Sequence, residues 1–227
     1  MKNRRSIYVV FFIVSILFLL TGCPNITIMR GPKTTPKGKS KISVVVDTLG
    51  AIVQANVDKK NQGTANIPAI QPTLEGAYSY GITDFMDIQI RLSNWLYTGV
   101  GLGFHLVKSD IFDLSLGLEV GGTWIHIENA GVSFWNIPIY LLGGINLSKN
   151  FSFIIGAGYQ AYYIYAGVSK DKSASIFANL LLSTVGFSIN FSKISIRPQL
   201  TFTVPINQND YIKTVLWNAG IGVHFLF

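Results

Sequence analysis

Beyond residue 41 polar and apolar positions alternate with a period of two, the mark of strands whose faces meet unlike surroundings. Met86, Ile88, Ile90 and Leu92 oppose Asp87, Gln89, Arg91 and Ser93, and Val100, Leu102, Phe104 and Leu106 oppose Gly99, Gly101, Gly103 and His105. Phe112, Leu114, Leu116, Leu118 and Val120 oppose Asp113, Ser115, Gly117, Glu119 and Gly121. Ile194, Ile196, Leu200, Phe202 and Val204 oppose Ser195, Arg197, Gln199, Thr201 and Thr203, with Pro198 a blemish because it cannot donate to a strand ladder. No convincing helical period appears. Strands are expected over 41–56, 68–80, 86–94, 98–107, 111–127, 133–147, 151–165, 174–191, 194–204 and 211–227. Most have the ~9–11 residues that a tilted strand needs to cross a bilayer. The pattern predicts an all-β protein, an antiparallel transmembrane β-barrel of about ten strands over residues 42–227, eight being the other count it admits.

Composition supports a lipid-facing surface. Charged residues are 13% of the chain, about half the ~25% usual in soluble domains. The net charge of +7 is unevenly placed. Lys2, Arg4, Arg5, Arg30, Lys33, Lys37, Lys39 and Lys41 all precede the body, which is close to neutral. A folded basic face is therefore missing, and no nucleic-acid partner is expected.

The first residues form an address. Lys2, Arg4 and Arg5 precede an apolar run, Ile7 to Leu20, too short for a helix that spans with ~20 residues but right for a signal peptide. The next four residues, Leu20-Thr21-Gly22-Cys23, resemble the lipobox of bacterial lipoproteins. The resemblance implies a signal peptide over 1–22, cleavage before Cys23, lipid on Cys23, and the lipoprotein-processing machinery as a partner. Ordinary cleavage with Cys23 a free thiol is the plainer alternative. Cys23 is the single cysteine, so no intrachain disulfide can form. Residues 23–41, with Pro24, Gly31, Pro32, Pro36 and Gly38 among lysines, predict a flexible basic tether at an anionic membrane surface.

Turns and aromatics agree with this reading. Short connections are expected at Gly81–Phe85, Lys108–Asp110, Ser148–Asn150 and Ser192–Lys193, and longer loops at Val57–Ile67, Glu128–Gly131, Gly167–Ser173 and Pro205–Asp210. Short turns belong on the periplasmic side, which places both termini there. Phe85, Phe112, Phe151, Phe191, Phe225 and Phe227 fall at that end, and Trp95, Tyr97, Trp124, Trp135, Tyr163, Tyr165 and Trp217 near the other, as two girdles would require. The closing alternation of Trp217, Ala219, Ile221, Val223, Phe225 and Phe227 resembles the terminal strand recognised by the outer-membrane barrel-assembly machinery. The stretch Tyr80-Gly81-Ile82-Thr83-Asp84-Phe85-Met86-Asp87-Ile88-Gln89 is similar to strand turns of small bacterial outer-membrane β-barrel proteins. The resemblance implies residence in the outer membrane, with outer-membrane lipid as surroundings. A lipidated lipocalin would alternate in the opposite sense, with its apolar face inward.

Candidate chemistry is sparse. Asp87, Arg91, His105, Asp113, Glu119 and Arg197 are expected in the lumen, with the arginines pairing to Glu119 and Asp113. A polar core that closes a tight lumen is the favoured reading, and a narrow porin-like conduit for small polar solutes the alternative, since wide aqueous channels come at ~16–18 strands. His126 and Glu128 share one strand face and suggest a rim hydrolase, checked because omptin-type proteases carry His and acidic residues at a ten-strand rim; the paired acids of that family are missing. His224 lacks the nearby serine of lipid A deacylases in its own strand. Three histidines and a lipidated cysteine are too few for a metal site, and no Gly-rich phosphate loop precedes a helix. No enzyme activity and no cofactor beyond the lipid are expected. Asp58, Lys59, Lys60, Lys170, Asp171 and Lys172 mark outer loops that offer a surface ligand contacts, though solvated loop tips are the simpler reading.

Overall fold

A strand with one apolar face can sit in hydrocarbon only if every backbone group is paired, which requires a closed ring. The computed structural model describes residues 30–58, 61–67, 72–94, 97–127, 130–169, 172–206 and 212–227. Its β segments are β1 Ser40–Asp58, β2 Asn61–Ile67, β3 Pro72–Gly81, β4 Met86–Ser93, β5 Thr98–Lys108, β6 Phe112–Ile127, β7 Ala130–Asn146, β8 Phe151–Ser169, β9 Lys172–Phe191, β10 Ile194–Pro205 and β11 Ile212–Leu226. From β3 to β11 each pairs antiparallel with the next, and β1 closes the ring on β11, from Lys41↔Leu226 to Ala55↔Ile212. The other edge of β1 pairs with β3 along its first half and with β2 along its second. β2 and β3 thus share one position, and the barrel has ten staves. We call the end that holds Ser40, Gly81 and Phe227 the lower end.

The alternation has the predicted sense. Ile88, Ile90 and Leu92 are exposed on the outside, and Asp87, Gln89 and Arg91 are buried inside. The same parity holds in β6, where Asp113, Ser115 and Glu119 are buried. The apolar face is outward, so the lipocalin arrangement does not apply.

Aromatics border the apolar belt. Phe112 and Trp124 mark its edges along β6, and Phe151 and Tyr163 along β8. At ~3.3 Å per residue and a tilt of ~40°, that spacing spans roughly 30 Å, the thickness of a bilayer core. Tyr97, expected in the upper girdle, instead turns into the lumen and is 5% exposed. Trp95 lies outside the described residues.

Three expectations are corrected. Val57–Ile67 is not a loop, because β1 runs on to Asp58 and pairs with Asn61–Ile67 as a hairpin. Gly167–Ser173 is not a loop either, since Gly167 pairs with Ser173 and Ser169 with Lys172. Backbone groups that leave the membrane still gain from pairing, so polar sequence alone does not end a strand. Residues 23–41 are not a free tether in their described part. Arg30–Pro36 lie inside the lower mouth, and Lys37–Lys39 bond to Gly81 before β1 begins. The barrel wall is uneven: β4 has 8 residues, whereas β8 and β9 have 19 and 20. The upper rim is therefore low over β4 and tall over β8 and β9.

Placing a charge on the belt tests the orientation. Ile90→Arg should lower stability by about 2–4 kcal/mol, the cost of Arg near the bilayer midplane, measured by urea unfolding in phospholipid vesicles.

Candidate functional site

The inward side chains divide the lumen into two unlike walls. β1, β3, β4 and β6 contribute most of its charge, including Lys41, Asp47, Glu75, Asp87, Arg91, Asp113 and Glu119, all buried. β7, β8 and β9 contribute Tyr140, Leu142, Ile154, Tyr162, Ile164, Leu180 and Leu182, also buried. Charges on the first wall find few polar groups opposite, so they draw on one another, on the N-terminal segment and on Asn136 and Asn146 of β7.

At mid-height they do so through Tyr97. Arg91 Nη2 lies 2.7 Å from Glu119 Oε1 and donates to the Tyr97 hydroxyl at 3.2 Å. Its guanidinium also stacks 4.9 Å from the Tyr97 ring centroid. The hydroxyl lies 2.7 Å from Glu119 Oε1 and 2.8 Å from the Asn136 amide. Its single proton goes to the carboxylate, and Asn136 completes the set when its Nδ2 turns toward Tyr97. Glu75, buried on the same wall, has neither carboxylate oxygen hydrogen-bonded.

At the lower mouth the N-terminal segment supplies the counter-charges. Arg30 Nη1 pairs with Asp87 Oδ1, and the Thr35 backbone N–H donates to Asp87 Oδ2 at 2.7 Å. Lys33 Nζ lies 3.3 Å from Asp113 Oδ2, which also accepts from Asn146 Nδ2 at 2.7 Å. His105 Nε2 meets Asp113 Oδ1 at 3.0 Å. Glycines in the wall make room for the segment. A side chain at Gly144 would strike Pro32, and one at Gly81 would strike the Pro36 carbonyl. Gly31 packs on the Arg197 guanidinium from the opposite side. Contacts to β4, β6, β7 and β10 carry the segment across the whole mouth.

All six residues expected in the lumen point inward, but the pairing differs from expectation in one respect. Arg91 pairs with Glu119, whereas Arg197 does not reach Asp113 and donates its Nε to Ser188 Oγ at 3.2 Å. Asp113 is already held by Lys33, His105 and Asn146. Sequence reasoning missed Arg30, Lys41, Asp47, Glu75 and Tyr97. A signal was present for Asp47 and Glu75, because each shares parity with small or polar partners, Ser43 for the first and Ala77 and Ser79 for the second. Trp217 and Phe225 are half-exposed, and Phe227 is exposed at the lower end. Cys23 and Glu128 lie outside the described residues, and of His126 only the backbone, paired with Gly131 in β6, is described. Among the described residues no three His, Cys, Asp or Glu side chains gather to hold a metal ion.

These features define a closed, antiparallel, ten-strand transmembrane β-barrel with a polar, partly plugged lumen. No protein-family model matches the sequence, and no curated protein is a match to it. Solved structures do match in fold. The outer-membrane protease OmpT from Escherichia coli is 9% identical, with 89% of this chain and 99% of that chain covered and a TM-score of 0.53. Ail, the attachment invasion locus protein of Yersinia pestis, is 13% identical over 83% of this chain and 99% of its own, with a TM-score of 0.36. Neisserial surface protein A is 10% identical over 83% and 99%, with a TM-score of 0.42. At such identity the likeness to OmpT is one of fold alone.

Two substitutions separate the roles of the ion pairs. Arg91→Met leaves Glu119 buried without its cation and should cost about 3–5 kcal/mol in the same urea titration. Asp87→Asn should instead leave the barrel folded and release the segment, so that trypsin cuts after Arg30 in the refolded variant but not in the wild type.

Proposed function

We propose that the chain is an outer-membrane lipoprotein, anchored through lipid on Cys23, whose closed barrel has a structural or surface-interaction role and no catalytic one. The observation that carries this reading is the Arg30–Pro36 segment lying across the lower mouth and tied to Asp87 and Asp113. A barrel blocked by its own chain does not serve as an open route for solutes. What it presents to partners is its tall upper hairpins, β6–β7 and β8–β9, bordered by exposed Trp124, Trp135, Tyr163, Tyr165 and Phe177. In this reading the lower end faces the periplasm, where a lipid anchor in the inner leaflet and the basic residues near it share one surface.

A second reading, a narrow conduit gated by the segment, is favoured by one feature, a cavity of about 1110 Å³ open at the lower mouth. The two differ in conductance. The refolded chain lacking residues 1–22 should give no discrete current steps in a planar bilayer, in a preparation shown to be inserted. Reproducible steps from the wild type would make the conduit the lead and the closed barrel untenable.

A further inference from the structure

The lower mouth holds more positive charge than the chain neutralises. The cavity of about 1110 Å³ there is lined by six Lys or Arg side chains and three Asp. Asp113 is committed to Lys33, His105 and Asn146, and Asp84 and Asp110 sit on exposed turns. Lys41 is 8% exposed and has no hydrogen-bond or ion-pair partner among the described residues. Arg197 gives its Nε to Ser188, while its Nη1 is buried and unpaired. His224, 3% exposed, uses Nδ1 on Ser43 Oγ at 2.7 Å. Lys41 and Arg197 both lie within electrostatic reach of His224. No acidic residue precedes Asp47, so the stretch upstream of β1 brings no counter-charge.

The carboxylate that Lys41 feels, Asp87, is already held by Arg30 and the Thr35 N–H, and two desolvated cations that converge on one cavity with no acid of their own are costly unless an anion joins them. We propose that Lys41, Arg197 and His224 form an oxyanion site that takes the phosphate group of a small phosphorylated solute. A phosphate dianion matches the two uncompensated cations, and the planar Arg197 guanidinium offers paired donors where Lys41 offers a point charge. The cavity is far larger than a phosphate, which leaves space for an organic part, since ligand pockets run to ~300–1,000 Å³. Its lining joins the lower turns at Ser109, Ser148 and Ser192 to inward side chains of β1, β10 and β11, and the three proposed ligands, Lys41, Arg197 and His224, lie inside the ring and not on its lipid-facing surface. The site depends on neither the lipid anchor nor the closed-barrel reading, because it uses only the geometry of the lower mouth.

The test is calorimetric titration of the full refolded chain in detergent micelles with inorganic phosphate and with glycerol phosphate, at fixed ionic strength. Folding of each variant is checked by its heat-modifiable gel shift. One equivalent should bind saturably, and Lys41→Met and Arg197→Gln should each weaken binding by about tenfold or more, the loss of one charge-assisted hydrogen bond. Lys37→Gln and Lys39→Gln, exposed and outside the cavity lining, should leave affinity within about twofold. Tighter binding of glycerol phosphate identifies an organic phosphate as the ligand class, and equal affinities identify phosphate itself. Absence of saturable binding, equal competition by chloride, or affinity that follows Lys37 and Lys39 rather than Lys41 and Arg197 overturns the assignment. Should Arg197→Gln fail to fold, Arg197→Lys keeps the charge and removes the planar fork, and an unchanged affinity there overturns it as well.

Discussion

The ion pair between Arg30 and Asp87 organises the lower half of this barrel. Asp87 begins β4 on the inner face, where lipid lies behind it and an apolar wall in front. A carboxylate in that position needs a cation and donors, and the Arg30 guanidinium and the Thr35 N–H provide both. Drawing Arg30 inward drags Gly31–Pro36 with it, and Lys33 then takes Asp113. The acids of the lower wall are thereby used by the incoming segment. Lys41 on β1 and Arg197 on β10 line the cavity that remains. The plug and the cationic cavity are two results of one competition for carboxylates.

Above this level the lumen is closed by a different device. Arg91, Glu119, Tyr97 and Asn136 share one network on the polar wall, opposite Leu142, Ile154, Leu180 and Leu182. Apolar side chains across the lumen keep water away from the network, which strengthens each charged hydrogen bond and raises the cost of losing a member. The two walls also touch through polar atoms, at Asn136 and Asn146 of β7, which reach Tyr97 and Asp113. Above the belt, β8 and β9 continue as paired strands from Ile164↔Ile176 to Ser169↔Lys172, so the tall side of the rim is a built structure and not a set of loops.

Much of the architecture was legible from period two alone. Alternation in β4, β5, β6, β10 and β11 named the inward and outward residues, because in a strand parity decides the face and only lipid tolerates a belt of Ile, Leu and Val outside. The same rule failed in β8 and β9. There Phe153, Ile154, Ile155, Leu180, Leu181 and Leu182 are apolar on both faces, since one wall of the lumen is itself apolar. Val57–Ile67 looked like a loop because its residues are polar, and they are polar because that hairpin leaves the membrane.

The sequence by itself determined the class of fold, the sense of the alternation and the inward placement of Asp87, Arg91, His105, Asp113, Glu119 and Arg197. Those follow from local periodicity, which acts between neighbours in the chain. Tertiary structure decided the partners. Arg30 meets Asp87, and Arg197 loses Asp113 to Lys33, through contacts between residues far apart in sequence. Gly81 and Gly144 leave the space that Pro36 and Pro32 of the incoming segment occupy. A basic stretch with prolines carries no local mark that distinguishes a tether outside a barrel from a segment drawn into its mouth, because the charge that draws it belongs to another strand.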